Sequence, residues 1–252
     1  MTQNHDEAPK QISPAVKNRL PRYYRYLSDL IKNEISKISS EELSKIMEVT
    51  ASQIRQDLNC FGGFGQQGYG YNIEQLHEEI GRILGVERGF SAVIAGAGNL
   101  GATLSKSGIF SKRGVKLLAL FDIDPKVIGK KIAEFTVMDI EGAASYCIEN
   151  KVDIAVLTLP KNETETVARM FAEAGVKGFW NFSNMELKIE KPGVKAQNIH
   201  MGDSLMMLCL QLNEGTSFQF SVERVVSGTK GTSFQRNELS VFSGTKETTT
   251  DN

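Results

Sequence analysis

A glycine-rich turn is the part of this sequence that best fits a specific chemistry. Gly96, Gly98 and Gly101 match the pattern G-x-G-x-x-G directly after residues 90–95, which predict a short buried strand. Such a turn lets backbone N–H groups and a helix N-terminus approach a pyrophosphate. The predicted contacts to a dinucleotide are Gly96, Ala97, Gly98, Asn99, Leu100 and Gly101.

An acidic residue after the next strand narrows the choice of dinucleotide. A second predicted strand, residues 115–121, is followed by Asp122, which lies 21 positions after Gly101. A carboxylate there suits the adenosine ribose hydroxyls and repels a 2′-phosphate, so NAD(H) is favoured over NADP(H). The alternative is a glycine-rich turn in another kind of α/β sheet. The order of strand, glycines, helix, strand and acid favours the dinucleotide.

Length and composition set the broad class. A chain of 252 residues, 40% hydrophobic and 23% charged, is long enough for two ordinary domains. The net charge of −1 gives no general attraction to nucleic acid, so any DNA affinity needs a local basic face. No apolar run has the roughly 18 residues of a membrane span. Residues 1–10 are unlike a signal peptide, and three scattered cysteines predict neither disulfides nor a metal site. We therefore expect a cytoplasmic protein.

The elements that precede the glycine turn predict a DNA-binding domain. Helical spacing begins at Pro14, and basic residues on this helix could contact phosphates. Two short helices follow: Ser39 and Glu42 form a capping box for the first, and Thr50 caps the second. Two capped helices joined by a tight turn, after a longer one, form a helix-turn-helix. A small helical bundle used for protein contacts is the alternative.

Residues 61–71 contain five glycines and four aromatic residues, which predicts a β-ribbon rather than a helix. Such a ribbon after a helix-turn-helix is the wing of a winged helix. Residues 73–84 return to helical spacing, and the domain boundary falls near residues 85–88. The two halves are thus predicted to be a winged helix and a parallel α/β domain.

The rest of the chain continues as an α/β unit with an atypical end. Helices are predicted over 140–150 and 162–174, and strands over 153–159, 177–182 and 194–201. Asn181 should lie at the carboxyl edge of the sheet, where ligands collect. Residues 204–212 are apolar at seven of nine positions and are expected to be buried, against a second subunit. Residues 215–230 and 231–246 duplicate one polar sequence, which predicts disorder or, less readily, a hairpin.

Residues 14–213 resemble the Rex family of redox-sensing transcriptional repressors along their whole length. The matching stretches are residues 19–27, 49–58, 61–65, 68–71, 96–101 and 121–125. The resemblance implies a homodimer with an N-terminal winged helix and a Rossmann domain whose terminal helix is swapped onto the partner. It also implies a repressor that binds palindromic operator DNA, senses the NADH/NAD⁺ balance and is released by NADH.

The resemblance and the motifs together define the expected organisation. The predicted regions are a disordered N-terminus (1–12), a winged-helix domain (13–85), a Rossmann domain with a C-terminal dimerisation helix (86–213) and a repetitive tail (214–252). The expected DNA contacts are Arg22, Tyr23, Lys45, Thr50, Ser52, Gln53, Arg55, Gln56, Gly62, Gly63, Phe64, Gly65, Gln66, Gly68, Tyr69 and Gly70. Thr158 and Asn181 are expected to line the nicotinamide side.

Several positions differ from the family pattern. The recognition helix has Arg55-Gln56 where two basic residues are usual, and the wing has Gln66-Gln67 where a Lys or Arg is usual. Each missing cation removes roughly one counterion's worth of salt-dependent affinity. We therefore expect weaker binding or a shifted operator.

The residues that link nucleotide and dimer geometry in the family also differ. An Arg of the family aligns with Arg25, but its Asp partner is replaced by His200, and a Tyr on the first Rossmann helix by Ser107. His200 cannot accept an ionic pair from Arg25. These switch positions predict that NAD(H) binding survives while discrimination between NADH and NAD⁺ is altered.

Two other functions remain open from the residues alone. An NAD-dependent oxidoreductase is disfavoured because no Tyr-x-x-x-Lys pair occurs and only His200 could lie near a nicotinamide. The second alternative is a CoA-binding Rossmann module, because residues 158–160 and 175–178 resemble such a domain. The helix-turn-helix and Asp122 argue against it. Cys60 could sense thiol oxidation, although a buried, inert cysteine fits better.

Overall fold

The computed structural model describes residues 12–61, 65–66 and 70–213. The predicted disorder of residues 1–11 and of the duplicated tail lies outside the described residues. Contacts divide the chain into two compact units, Met1–Met201 and Gly202–Asn252, and each is described by itself.

The first unit begins with the three predicted helices: α1 (Pro14–Lys32), α2 (Ser40–Met47) and α3 (Ala51–Leu58). The Ser13 side chain caps α1 by accepting the Val16 N–H. The capping box at the start of α2 is present, with Glu42 and Ser39 each accepting the other's backbone N–H, as the sequence predicts. These caps satisfy N–H groups that the first turn of a helix leaves free.

A small antiparallel sheet completes the N-terminal part. Its strands are β1 (Lys37–Ile38), β2 (Gly65–Gln66) and β3 (Gly70–Asn72), in the order β1-β3-β2. Gly70 has φ of +75°, and a Cβ there would lie 2.7 Å from the Ile38 carbonyl oxygen, so glycine is required. The helix α4 (Ile73–Leu84) follows directly and packs against α1. The predicted ribbon is therefore present as the β2–β3 pair.

The remainder of the first unit is an α/β domain around one parallel sheet. In chain order its elements are β4 (Phe90–Ala95), α5 (Asn99–Lys106), β5 (Val115–Asp122), β6 (Lys131–Ile132), β7 (Phe135–Thr136), β8 (Met138–Asp139), α6 (Ala143–Asn150), β9 (Ile154–Leu157), α7 (Lys161–Glu173), β10 (Gly178–Asn181) and β11 (Lys195–Asn198). The sheet order is β11-β10-β9-β4-β5-β8, and every pair is parallel. Numbered along the chain, these six strands give the Rossmann order 3-2-1-4-5-6, whose ligand crevice lies where the order reverses.

Four two-residue strands were not predicted from the sequence: β1 of the small sheet, and β6, β7 and β8 of the α/β domain. Strands β6 and β7 form an antiparallel hairpin, and β8 extends the edge of the main sheet beside β5. Elements of two residues are too short to show the period-2 alternation on which strand prediction depends.

The buried side chains of the described residues form three clusters. One is built from the N-terminal helices around Leu20, Leu27, Ile54 and Ile80. The other two contain alternate residues of β4, because successive side chains in a strand point to opposite faces: Val93 and Ala95 in one, Ala92 and Ile94 in the other. Within the described part of the chain, no cluster mixes residues up to 84 with residues from 90 onward.

The second unit begins within α8 (Met201–Asn213), which contains the predicted apolar segment. In the single chain its apolar side chains are exposed rather than buried: Leu205, Met206, Met207, Leu208, Leu210 and Leu212. No helix in the described part of the chain combines the length and apolar character of a membrane span.

Candidate nucleotide-binding and DNA-binding sites

Each of the three glycines in the turn after β4 is suited to its position for a different structural reason. Gly96 has φ of +96°, and a Cβ there would lie 2.7 Å from the Thr158 carbonyl oxygen. A Cβ at Gly101 would collide with the Gly96 carbonyl oxygen, so the third glycine lets α5 pack closely on the turn. A Cβ at Gly98 would meet no atom within 4 Å. Tight turn, open approach and close helix packing are the roles of these glycines in a dinucleotide fingerprint.

The N-terminus of α5 is suited to an anion. Gly98 is its N-cap and has no side chain that could accept a hydrogen bond from the first turn. The N–H groups of that turn and the positive end of the helix dipole point to the same open space that Gly98 leaves. The residues present therefore fit the pyrophosphate of NAD(H), which binds backbone N–H groups at such a position.

The carboxylate of Asp122 lies beside this turn, where the sequence predicts it. It is only 9% exposed. Its Oδ2 accepts the Ala97 N–H at 2.6 Å, and its Oδ1 accepts the N–H groups of Ile123 and Asp124 at 2.8 and 2.9 Å. A carboxylate has about four acceptor positions, so one remains for a ribose hydroxyl. Asp122 therefore also fixes the shape of the turn, a role that spacing alone does not reveal.

Helix α3 presents polar side chains on its outer face. Thr50 Oγ1 accepts the Gln53 N–H at 3.1 Å, which caps the helix as predicted. Ser52, Arg55 and Gln56 are exposed, and an Nη of Arg55 donates to Ser40 Oγ at the start of α2 at 2.9 Å. The second helix of a helix-turn-helix reads base edges with its first residues.

The inner face of α3 carries a buried carboxylate, Asp57, whose role the sequence analysis missed. Its oxygens accept Arg19 Nε and Nη2 at 2.7 Å each, the Tyr23 hydroxyl at 3.0 Å and Gln53 Nε2 at 2.8 Å. Burial alone would raise the pKa of Asp57, but the hydrogen bonds from Arg19, Gln53 and Tyr23 outweigh it and lower that pKa. The signal was available in the sequence: Asp57 follows Ile54 by three positions, on the apolar face, where a carboxylate needs partners.

Two family models match the parts that carry these two sites. Residues 11–59 match a model described as "Putative DNA-binding protein N-terminus", and residues 87–185 match "CoA binding domain". A curated redox-sensing transcriptional repressor Rex from Clostridioides difficile is 51% identical over 206 residues, which cover 82% of this chain and 98% of that protein. The Rex of Clostridium beijerinckii is 46% identical over 211 residues, covering 84% of this chain and all of that protein.

This chain belongs to the Rex family. Two solved structures of the Rex-family repressor RSP agree in fold as well. RSP in complex with β-NAD⁺ and operator DNA has a TM-score of 0.75 at 47% identity and covers 81% of this chain and 94% of that one. RSP in complex with β-NADH has a TM-score of 0.74 at 44% identity, with 81% and 95% covered. These matches confirm the predicted family, the two-part fold and a redox-sensing repressor rather than an enzyme.

Two predicted contacts of this Rex protein are placed differently by the structure. Tyr23 was predicted to contact the DNA backbone, but it is 0% exposed and its hydroxyl donates to Asp57, so direct contact is excluded in this conformation. Asn181 was predicted to line the nicotinamide side, but it is 1% exposed. Its Nδ2 donates to the Met185 carbonyl and to Asn198 Oδ1, and its Oδ1 accepts both the N–H and the hydroxyl of Ser183. Both side chains therefore hold neighbouring parts of the fold together through internal hydrogen bonds.

The structure describes some of the other predicted DNA contacts and leaves the rest outside the described residues. Arg22 is half-buried with its guanidinium 5.7 Å from the centre of the Tyr26 ring, and Lys45 is exposed on α2. In the wing, Gly65 and Gln66 form β2 and Gly70 begins β3. The predicted contacts at Gly62, Gly63, Phe64, Gly68 and Tyr69 lie outside the described residues.

The remaining predicted nucleotide contact and the switch residues each have a local partner. Thr158 Oγ1 lies 2.6 Å from the Gly96 carbonyl oxygen, so this side chain braces the turn. Arg25 places its guanidinium 5.1 Å from the Tyr26 ring centre, and Ser107 ends α5 by donating to the Leu104 carbonyl. His200 Nε2 lies 3.2 Å from Glu186 Oε2. This glutamate neighbour was not anticipated.

Proposed function

We propose that this Rex protein binds operator DNA with its winged helix, binds NAD(H) on the glycine turn and leaves the DNA when NADH binds. One observation carries the proposal: this Rex chain contains both kinds of site. Helix α3 is capped and has an exposed polar face, and helix α5 has no side-chain cap and follows the dinucleotide turn. RSP, its relative, has been solved with operator DNA and β-NAD⁺ and separately with β-NADH.

On the DNA side, α3 enters the major groove. Arg55 reads guanine, and Gln53 and Gln56 suit adenine edges. Ser52 and Thr50 lie at the N-terminus of the same helix, and Arg22, Lys45 and the wing hold phosphates. Phosphate contacts set position, whereas base contacts set sequence preference.

On the nucleotide side, the pyrophosphate lies over Gly98 and accepts N–H groups of the first turn of α5. Asp122 accepts a hydroxyl of the adenosine ribose and excludes a 2′-phosphate by charge repulsion. Asp124 is exposed two residues further on, and among the described contacts its carboxylate accepts only the Lys126 N–H, so it is the second candidate for this hydroxyl. The protein supplies binding, and no chemical step is required.

We also propose that the protein is a homodimer held by α8. This helix exposes Leu205, Leu208 and Leu212 at helical spacing. Exposed apolar patches of this kind mark interaction sites, and two-fold symmetry suits a helix-turn-helix that reads a palindrome. Leu208→Glu should give a monomer by light scattering, whereas Gln211→Glu adds the same charge and should leave the dimer intact.

A titration of the purified protein on a fluorescent palindromic Rex-type operator tests the proposal. We expect binding in the absence of nucleotide and release by NADH. Arg55→Ala should lose specific binding while it keeps NADH affinity; loss of both would make Arg55 structural. No binding to the operator at all would overturn the proposed function, and competition by CoA with NADH would favour a CoA-binding module.

The same titration with NAD⁺ tests the expected change in redox discrimination. His200 and Ser107 replace the Asp and Tyr of the family pattern, and His200 faces Glu186 instead. We therefore propose that NAD⁺ also releases this protein from DNA. Release by NADH alone would show that both replacements are tolerated.

A further inference from the structure

A buried carboxylate on the inner face of α3 holds the side chain of Gln53, which is half-buried one turn earlier on the same helix. Asp57 is 0% exposed and accepts four hydrogen bonds, two from Arg19, one from Tyr23 and one from Gln53. Four donors occupy the four acceptor positions of a carboxylate. Arg19 and Tyr23 belong to α1, so the carboxylate is held by a second helix and cannot follow Gln53 if that side chain turns.

The bond to Asp57 determines the orientation of the Gln53 amide. The two ends of a glutamine amide are nearly the same in shape, and a free one can turn either end outward. An ionised carboxylate can only accept hydrogen bonds, so the Gln53 nitrogen must face Asp57, at 2.8 Å from Oδ1. The carbonyl oxygen and the second N–H of Gln53 remain available.

We propose that Asp57 is a positioning residue that holds the Gln53 amide in one orientation, so that Gln53 selects adenine at one base pair of each operator half-site. The inference rests on the proposed function, since it requires α3 to lie in a major groove. Gln53 is the third residue of α3, among the first residues that meet base edges. Its carbonyl oxygen accepts the adenine N6–H while its remaining N–H donates to N7.

Selection from a randomised DNA duplex pool, followed by sequencing, tests the proposal on the full-length protein. The wild type should enrich a palindrome with a strong adenine preference at one position in each half-site. Gln53→Met should reduce that preference about tenfold. Asp57→Asn should reduce it at the same position, because an amide at residue 57 can also donate and the Gln53 amide then has two orientations.

Tyr23→Phe is the matched control. It removes one of the four hydrogen bonds to the same carboxylate but leaves the Gln53 bond in place. We expect lower thermal stability and unchanged base preferences. Equal loss of preference in this control would overturn the proposal, since it would show that any disturbance around Asp57 acts through the fold.

Two further variants decide the result if Asp57→Asn does not fold. Arg19→Lys keeps the charge but cannot bridge both carboxylate oxygens, and it should weaken the adenine preference at the same position. Gln53→Glu lacks the amide N–H and should change the preference there from adenine towards cytosine, whose N4 amino group a carboxylate accepts. Unchanged preferences in both would overturn the inference, while an enriched wild-type palindrome would leave the proposed function intact. Failure of the wild type to enrich any palindrome would overturn both.

Discussion

Helices α3 and α5 are both eight residues long, and both follow a turn that points their N-terminus at a proposed ligand. They present that end in opposite ways. The first turn of α3 is capped by Thr50, and its inner face is held to α1 through Asp57. The first turn of α5 has no side-chain cap, and its approach is kept open by Gly98.

The difference follows from what each helix has to recognise. Bases are distinguished by side chains that must be held at fixed positions, so α3 needs a rigid support of hydrogen bonds. A pyrophosphate is the same in every dinucleotide and can be bound by backbone N–H groups alone. Substituting the side chains that support α3, and the glycines that leave the start of α5 open, therefore tests this difference.

The largest expected effect comes from breaking the support of α3. Arg19→Met leaves Asp57 buried without its charge partner, and the winged helix should lose about 3 kcal/mol, at the low end for a buried pair because the Arg19 side chain is 28% exposed. Operator binding should fall with it, while NADH binding remains. Urea unfolding followed by circular dichroism measures the loss.

Arg169→Met provides the control for that loss, since it breaks an exposed pair with Glu165 on α7. Exposed pairs contribute little, so no measurable change is expected. Equal effects of the two substitutions would show that the Asp57 network does not support α3 in particular.

A pair of glycine substitutions should separate packing from ligand approach at α5. Gly101→Ala places a methyl against the Gly96 carbonyl and should cost the Rossmann domain about 1–3 kcal/mol together with NADH affinity. Gly98→Ala meets no protein atom within 4 Å, so stability should be unchanged while NADH affinity falls. Thermal melting and NADH-dependent quenching of Trp180, the only tryptophan in the sequence, give the two readouts. Full NADH affinity in Gly98→Ala would place the pyrophosphate elsewhere.

Acid should reduce the difference between wild type and Arg19→Met. Because the folded state lowers the pKa of Asp57, its contribution is present above the unfolded pKa and is lost as the pH falls through the folded value. Below about pH 4 the two free energies of unfolding should therefore converge. If the two free energies of unfolding stayed equally far apart from pH 7 to pH 3, the contribution of Asp57 to stability would not depend on its charge.

The sequence predicts local features of this fold better than side-chain partners. The capping box at Ser39, the cap at Thr50 and the three glycines follow from the backbone near each residue, so short-range patterns reveal them. The burial of Tyr23 was missed because its partner is distant in sequence: Tyr23 bonds Asp57, 34 positions away. The burial of Asn181 was missed because its amide is occupied by Ser183, Met185 and Asn198 together, and no short pattern in the sequence indicates that set. An aromatic hydroxyl on a basic helix looks the same in sequence whether it faces a phosphate or a buried carboxylate.

The smallest expected effect tests whether the two helices are supported independently. Cys60 lies half-buried at the end of α3, whereas Cys147 is buried under the sheet of the Rossmann domain, where burial raises the pKa of its thiol to about 12. In a Cys209→Ser background, iodoacetamide at pH 8 should label Cys60 faster than Cys147, since only the thiolate reacts.

Arg19→Met should accelerate labelling of Cys60 alone and Gly101→Ala labelling of Cys147 alone. We expect each substitution to destabilise one domain, because no described cluster contains residues of both domains. Parallel acceleration of both thiols by either substitution would instead show one cooperative unit, in which the support of α3 also stabilises the nucleotide turn.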